Sequence, residues 1–217
     1  GTLNSQEKKD DFFRENFNLS IHHRVILHAG WIHNAMCADQ FALSCREWKS
    51  NHKLIFHERE KRSENESYLQ HISKLSNGNA IFSLNPVNFQ EIDKIFLSAD
   101  IGLVGYNKYY GGGRENLHKA SGKLSNFLRC GVPVIALDLP GYREMFSNYN
   151  CGEVFSHFDQ IESLIEKIFN DYPVYQNEAF RCFKEEFEFS QFFNPFINFI
   201  KNDLDFTIEE KSSIIKF

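Results

Sequence analysis

The chain predicts an α/β fold, doubly wound, with a mainly parallel sheet of about six strands and helices appended at the C-terminal end. Three observations predict it. From residue 24 to residue 155, short apolar runs without a two-residue period alternate with stretches of helical spacing, the pattern of strands covered on both faces and of their crossover helices. The connections between them are mostly short, as βαβ units require. The 217 residues, 42% hydrophobic and 24% charged, suit about one domain with an appendage, and this composition excludes disordered and fibrous classes.

The elements follow in order. Residues 1–20 read as a lead-in helix and linker, with Phe12, Phe13 and Phe17 on one helical stripe. Residues 21–188 form the α/β domain. Arg24 to Gly30 is a compact apolar run ending in glycine, a strand, and Cys37 to Ser50 follows with Phe41, Leu43, Cys45 and Trp48 at helical spacing. The alternation continues with a strand at 53–57, a helix at 64–75, a strand at 80–84 and a helix at 90–99 on whose face Ile92, Ile95 and Phe96 lie. A strand at 101–104, a helix at 121–130 and a strand at 134–137 come next. Residues 151–155 read as an edge strand, with helices at 160–170 and 175–187 behind it. Residues 189–217 make a last helix and tail whose Phe189, Phe192, Phe193, Phe196 and Phe199 are expected to cover the sheet, the alternative being an apolar face left exposed or used to dimerise.

Composition narrows the partners. With 24 Lys and Arg against 29 Asp and Glu the formal charge is −5, which argues against broad binding to nucleic-acid phosphates. No run of about 18 apolar residues predicts a membrane span, and the first residues lack the basic and apolar regions of a secretion signal. A cytoplasmic location is expected, where two Asn-x-Ser sequons carry no meaning. The five cysteines, Cys37, Cys45, Cys130, Cys151 and Cys182, show no C-x-x-C pair and read as buried free thiols. His57-Glu58-Arg59-Glu60 has only the first half of a H-E-x-x-H metal motif, so no metal is expected.

Two segments point to chemistry. Residues 105–119 (GYNKYYGGGRENLHK) form a long loop with three consecutive glycines after a strand's carboxyl end, where open parallel sheets bind ligands. Ser121 and Gly122 then open a helix, whose free N–H groups and dipole make an anion site. Lys123 adds a cation there, and Asn126 lies one turn on along the same face. Such a rim suits a diphosphate and a hydroxyl-rich group together.

Residues 121–144 (SGKLSNFLRCGVPVIALDLPGYRE) resemble the signature of retaining, nucleotide-sugar-dependent glycosyltransferases of the GT-B fold, group 1. In their C-terminal half this runs K-L-x-E-Y-L-A-x-G-x-P-V-I and then D-x-x-G-x-x-E. Lys123, Leu124, Asn126, Phe127, Leu128, Gly131, Pro133, Val134, Ile135, Asp138, Gly141 and Glu144 match or stand at its positions. Residues 92–102 (IDKIFLSADIG) resemble the family's preceding helix and strand, and the likeness covers roughly residues 21–200. It implies a Rossmann-like donor-binding half of an enzyme that moves sugar from a nucleoside-diphosphate sugar to a glycan or other acceptor, in surface polysaccharide or glycoconjugate synthesis. The nucleotide sugar is then a substrate, and no cofactor is implied.

The implied donor contacts are Gly30, Trp31, His33, Arg114, His118, Ser121, Gly122, Lys123 and Asn126; no residue is assigned as catalytic. The sequence departs from the family in three places. Asn126 stands where a glutamate usually holds the ribose hydroxyls, and the first glutamate of the family's pair falls at His118. Residues 30–36 (GWIHNAM) contain neither the Arg nor the Lys usual there. The donor is then held differently, by Arg114 or His33, or is bound weakly. The acceptor site belongs to an N-terminal half, so the chain reads as an excised domain, inactive alone, with peripheral membrane association expected only through the full enzyme. Dehydrogenase, receiver and P-loop readings fail for want of their glycines or acidic residues. A silent GT-B-like scaffold and a GT-B-type sugar epimerase are the alternatives.

Overall fold

A computed structural model describes residues 9–107, 113 and 116–203. Six strands, β1 (Arg24–Ala29), β2 (His52–His57), β3 (Ala80–Ser83), β4 (Ile101–Val104), β5 (Val134–Leu137) and β6 (Gly152–Phe155), form one sheet. Its order is β3-β2-β1-β4-β5-β6, and every pairing is parallel. The order reverses between β1 and β4. That is where the crossovers leave to opposite faces and a crevice opens at the carboxyl ends.

Helices α1 (Phe12–Asn16), α2 (Ala38–Ser44), α3 (Ser67–Leu75), α4 (Ile92–Leu97), α5 (Leu117–Ala120) and α6 (Gly122–Arg129) alternate with the strands. They are followed by α7 (Pro140–Tyr149), α8 (Ile161–Asn170), α9 (Tyr172–Glu186) and α10 (Phe189–Asp203). Successive strand residues point to opposite faces, so Val25, Leu27 and Ala29 of β1 join one apolar cluster with α4, α6 and α7. Ile26 joins the other, with α2, α3 and α8. This is why the strand sequences show no polar alternation.

The N-terminal edge is tied by Asp100, which is 5% exposed. Its carboxylate accepts from Val25 N at 2.7 Å and from Arg14 Nη2 at 3.1 Å, fixing α1 beneath the sheet. On α6, Ser121 caps the helix by accepting from Leu124 N, and Gly131, at φ +64°, ends it. The chain then drops into β5, as the glycine and following proline indicate.

The structure corrects three expectations. The segment 37–50 is not one helix: α2 stops at Ser44 and a 3₁₀ turn, Cys45–Glu47, follows. The 140s, to which the sequence assigned no element, hold α7, started by Pro140 in its first turn. The last helix does not cover the sheet. Phe183, stacked on Phe187, already closes that cluster, and Phe189, Phe192, Phe193, Phe196 and Phe199 of α10 are exposed.

Gly102 on β4 shows how closely α6 is seated. A Cβ there would stand 2.6 Å from the Phe127 ring, which is fully buried. Gly102→Ala is expected to destabilise the fold by about 1–3 kcal/mol through overpacking. Gly122→Ala, with nothing within 4 Å of the added methyl, is expected to stay within about 0.5 kcal/mol. Urea unfolding of both variants checks the contrast.

Candidate functional site

A cleft of about 630 Å³ opens at the carboxyl ends of β1, β2 and β4. Its floor is the turn after β1. Gly30 has φ +103°, a conformation that favours glycine, and its N–H donates to His57 O at 2.8 Å. A Cβ at Gly30 would lie 3.6 Å from Lys123 Cε, so the lysine side chain lies against the turn.

Glu58, at the end of β2, is 1% exposed and pins this turn. Its Oε2 accepts from Ile32 N at 3.0 Å and from Arg62 Nη1 at 3.2 Å, and its Oε1 accepts from Arg59 N. Arg62 also donates to Ile32 O at 3.0 Å. Both backbone groups of Ile32 are therefore clamped, and Trp31 is projected to the rim. There it is 42% exposed, stacked on His33 with ring centroids 4.0 Å apart and flanked by the Arg59 guanidinium at 6.0 Å.

Lys123 gives the cleft its charge. The residue as a whole is half-buried, but its ammonium nitrogen is shut off from solvent and has no hydrogen-bond partner. It stands 5.9 Å from the Tyr106 ring. Burial brings its pKa down to about 8, opposed by the nearby Cys37 and Glu58. His57 lines the same cleft, its Nδ1 2.9 Å from Ser83 Oγ, and burial lowers its pKa to about 4, so it is neutral near pH 7. The opposite wall is apolar, with Pro86, Val87 and Phe89 before α4 and Ile92, Ile95 and Phe96 on it.

The structure brings Gly30, Trp31, Lys123 and Asn126 into this cleft, with His33 beside it through Trp31. Ser121 and Gly122 stand at the start of the same helix as Lys123. The Ser121 hydroxyl is occupied within the protein, 3.0 Å from Tyr106 Oη and accepting from Leu124 N. His118 is not among the lining residues. It is buried beside Gly141, whose missing Cβ leaves room for its ring, and packs edge-on against Tyr142. Arg114 and most of the glycine loop lie outside the described residues. Sequence reasoning missed Glu58, Arg59, Tyr106 and the apolar wall. Glu58 had one available signal: a carboxylate at the carboxyl end of the strand neighbouring β1. Among the described residues no three His, Cys, Asp or Glu side chains are grouped to hold a metal, and no helix is long and apolar enough to cross a membrane.

Replacing Glu58 with Gln sets an NH₂ group against a donor and leaves Arg62 short of its charge partner. We expect Glu58→Gln to cost about 2–4 kcal/mol, read as a lower urea midpoint with unchanged slope.

No family model matches the chain, and no curated protein matches it by sequence. Solved structures do match by shape. Sucrose-phosphate synthase from Thermosynechococcus elongatus superposes with a TM-score of 0.69 at 12% identity, over 94% of this chain and 51% of that one. HepE from Anabaena, solved with UDP and glucose, gives 0.65 at 11% identity over 88% of this chain and 51% of its own. The C-terminal domain of a group 1 glycosyltransferase from Francisella tularensis gives 0.58 at 12% identity, over 82% of this chain and 90% of that domain. The chain thus spans about half the length of the first two and nearly all of an isolated C-terminal domain. Its fold is that of the C-terminal half of GT-B glycosyltransferases.

Proposed function

We propose that the cleft binds the diphosphate of a nucleoside-diphosphate sugar, and that the chain is the donor-binding half of a glycosyltransferase acting on a glycan or other acceptor. The observation that carries this reading is the Lys123 ammonium, shielded from water and unpartnered beside Gly30. A buried cation with no hydrogen-bond partner is costly, and a diphosphate supplies negative charge together with hydrogen-bond acceptors. The adjoining N-terminus of α6 favours the same anion. Across the cleft, the Pro86–Phe89 wall offers a flat apolar surface suited to a base, while Arg59 stands at the mouth. HepE, of like fold, was solved with UDP, which supports the choice of ligand class.

In sugar transfer the leaving group is the nucleoside diphosphate. Lys123 and the first turn of α6 would stabilise charge growing on its phosphate more than they stabilise the bound donor, which is how such contacts lower a barrier. The acceptor is held, on this reading, by a second half. A silent binding module is the second reading, favoured by the absence of Arg and Lys from residues 30–36.

Isothermal titration with UDP, GDP and ADP tests the proposal. One of them is expected to bind, and Lys123→Ala to weaken it by roughly 10- to 150-fold, the range for a charge-assisted hydrogen bond. Affinity should fall as pH rises through about 8, where the ammonium of the free protein loses its proton. No binding of any of the three overturns the reading.

The same pKa predicts a stability effect of opposite sense. Below about pH 8 the folded protein holds a charged lysine that would be better solvated in the unfolded chain. Between that pH and the ordinary lysine value the unfolded state binds more protons, so stability rises with pH. Lys123→Met is therefore expected to raise the ligand-free melting temperature by about 2–4 °C at neutral pH. The gain should shrink as pH approaches about 10.5, which calorimetry across pH will measure.

A further inference from the structure

We infer that the cleft meets its ligand at position 126 with a fixed hydrogen-bond donor, the Asn126 amide NH₂, and that the Arg129–Asp93 ion pair sets this polarity. The inference rests on the nucleotide-sugar reading above and narrows it. Arg129 on α6 grips Asp93 on α4 with both terminal guanidinium nitrogens, Nη1 lying 2.7 Å from Oδ2 and Nη2 against Oδ1. The guanidinium holds the Asp93 carboxyl below the usual carboxylate range, so the pair stays charged at working pH. Arg129 Nη2 also lies 3.2 Å from Asn126 Oδ1.

A guanidinium has donors and no acceptor. The Asn126 amide must therefore turn its oxygen toward Arg129, because the flipped amide would set donor against donor. Asn126 lines the cleft, and with Oδ1 engaged its Nδ2 is the polar group offered to a ligand. A glutamate here would accept from ligand hydroxyls; this amide donates to a lone pair. Lys123, three residues earlier on the same helix face, is likewise a donor. Two donors side by side select an oxygen that accepts, a phosphate oxygen or a ribose oxygen used through its lone pair, and disfavour a ligand group that must donate. Asn126 is thus a specificity-determining contact and Arg129 a positioning residue acting through it.

The test titrates UDP, GDP and ADP into the wild-type chain, Asn126→Asp, Asn126→Ala, Arg129→Met and the Asn126→Ala/Arg129→Met double variant, with thermal melts establishing that each is folded. Asn126→Asp keeps the shape and the Arg129 contact but exchanges donor for acceptor. It is expected to weaken the best-bound nucleotide by about tenfold or more. Arg129→Met frees the amide to flip and is expected to cost a few-fold, about 0.5–1.5 kcal/mol. That loss should vanish in the Asn126→Ala background, where no amide remains to be oriented, a coupling that a purely structural role for Arg129 would not produce. Equal or tighter binding by Asn126→Asp overturns the donor assignment, and additive losses overturn the role of Arg129. Failure of the wild type to bind any of the three overturns the nucleotide-sugar reading and this inference with it, an outcome distinct from wild-type binding that Asn126→Asp leaves intact.

Discussion

The cleft depends on one buried carboxylate. Glu58 accepts the Ile32 N–H, while the Arg62 that it pairs with donates to the Ile32 carbonyl. This clamp fixes the chain where it leaves β1, the central strand next to the reversal of strand order. It presents Gly30 to Lys123, Trp31 to the rim, and the Ala35 carbonyl to Asn107 N at 3.1 Å. The network is internally satisfied, as a buried charge requires. That frees Lys123 from acting as the partner of Glu58, although the two are near enough to influence each other.

Lys123 is the counterpart of that satisfaction. Glu58, behind the turn that floors the cleft, is fully paired, whereas Lys123 within the cleft is left without a hydrogen bond. Stability alone would favour an apolar side chain there, and sites built for binding commonly keep such a locally unfavourable group. The contrast between the charged α6 side and the apolar α4 side gives the cleft two ends of different chemistry. The first turn of α6 is only partly available to it, since Ser121 already satisfies Leu124 N.

The shared fold and the altered site fit together physically. Glycines such as Gly102 and Gly131 hold α6 against the sheet and end it, and these backbone requirements are met whatever the chain binds. The polar positions are free to differ. Asn126 faces the cleft from α6, whereas His118 is turned beneath α7 against Gly141 and away from it. At 11–12% identity to structures of the same shape, packing persists and side-chain chemistry diverges.

Much of the architecture was legible in the sequence because it rests on local signals. Apolar runs marked all six strands, Ser121 and Gly131 marked the limits of α6, and the glycine after β1 marked the edge where the cleft opens. Lys123 and Asn126 were legible as neighbours lining one cleft because three residues on a helix place two side chains on one face. What only the tertiary structure decided depended on contacts between distant segments. Glu58 became a clamp when β2 settled beside β1, and Lys123 became a buried cation when its stem lay across Gly30. Asn126 gained its Arg129 partner when Asp93, 33 positions away in the chain, anchored that guanidinium. The sequence left open whether the phenylalanines of α10 cover the sheet or stay exposed, for a related reason: helical spacing reports that a face is apolar, but not whether another element has already covered the sheet.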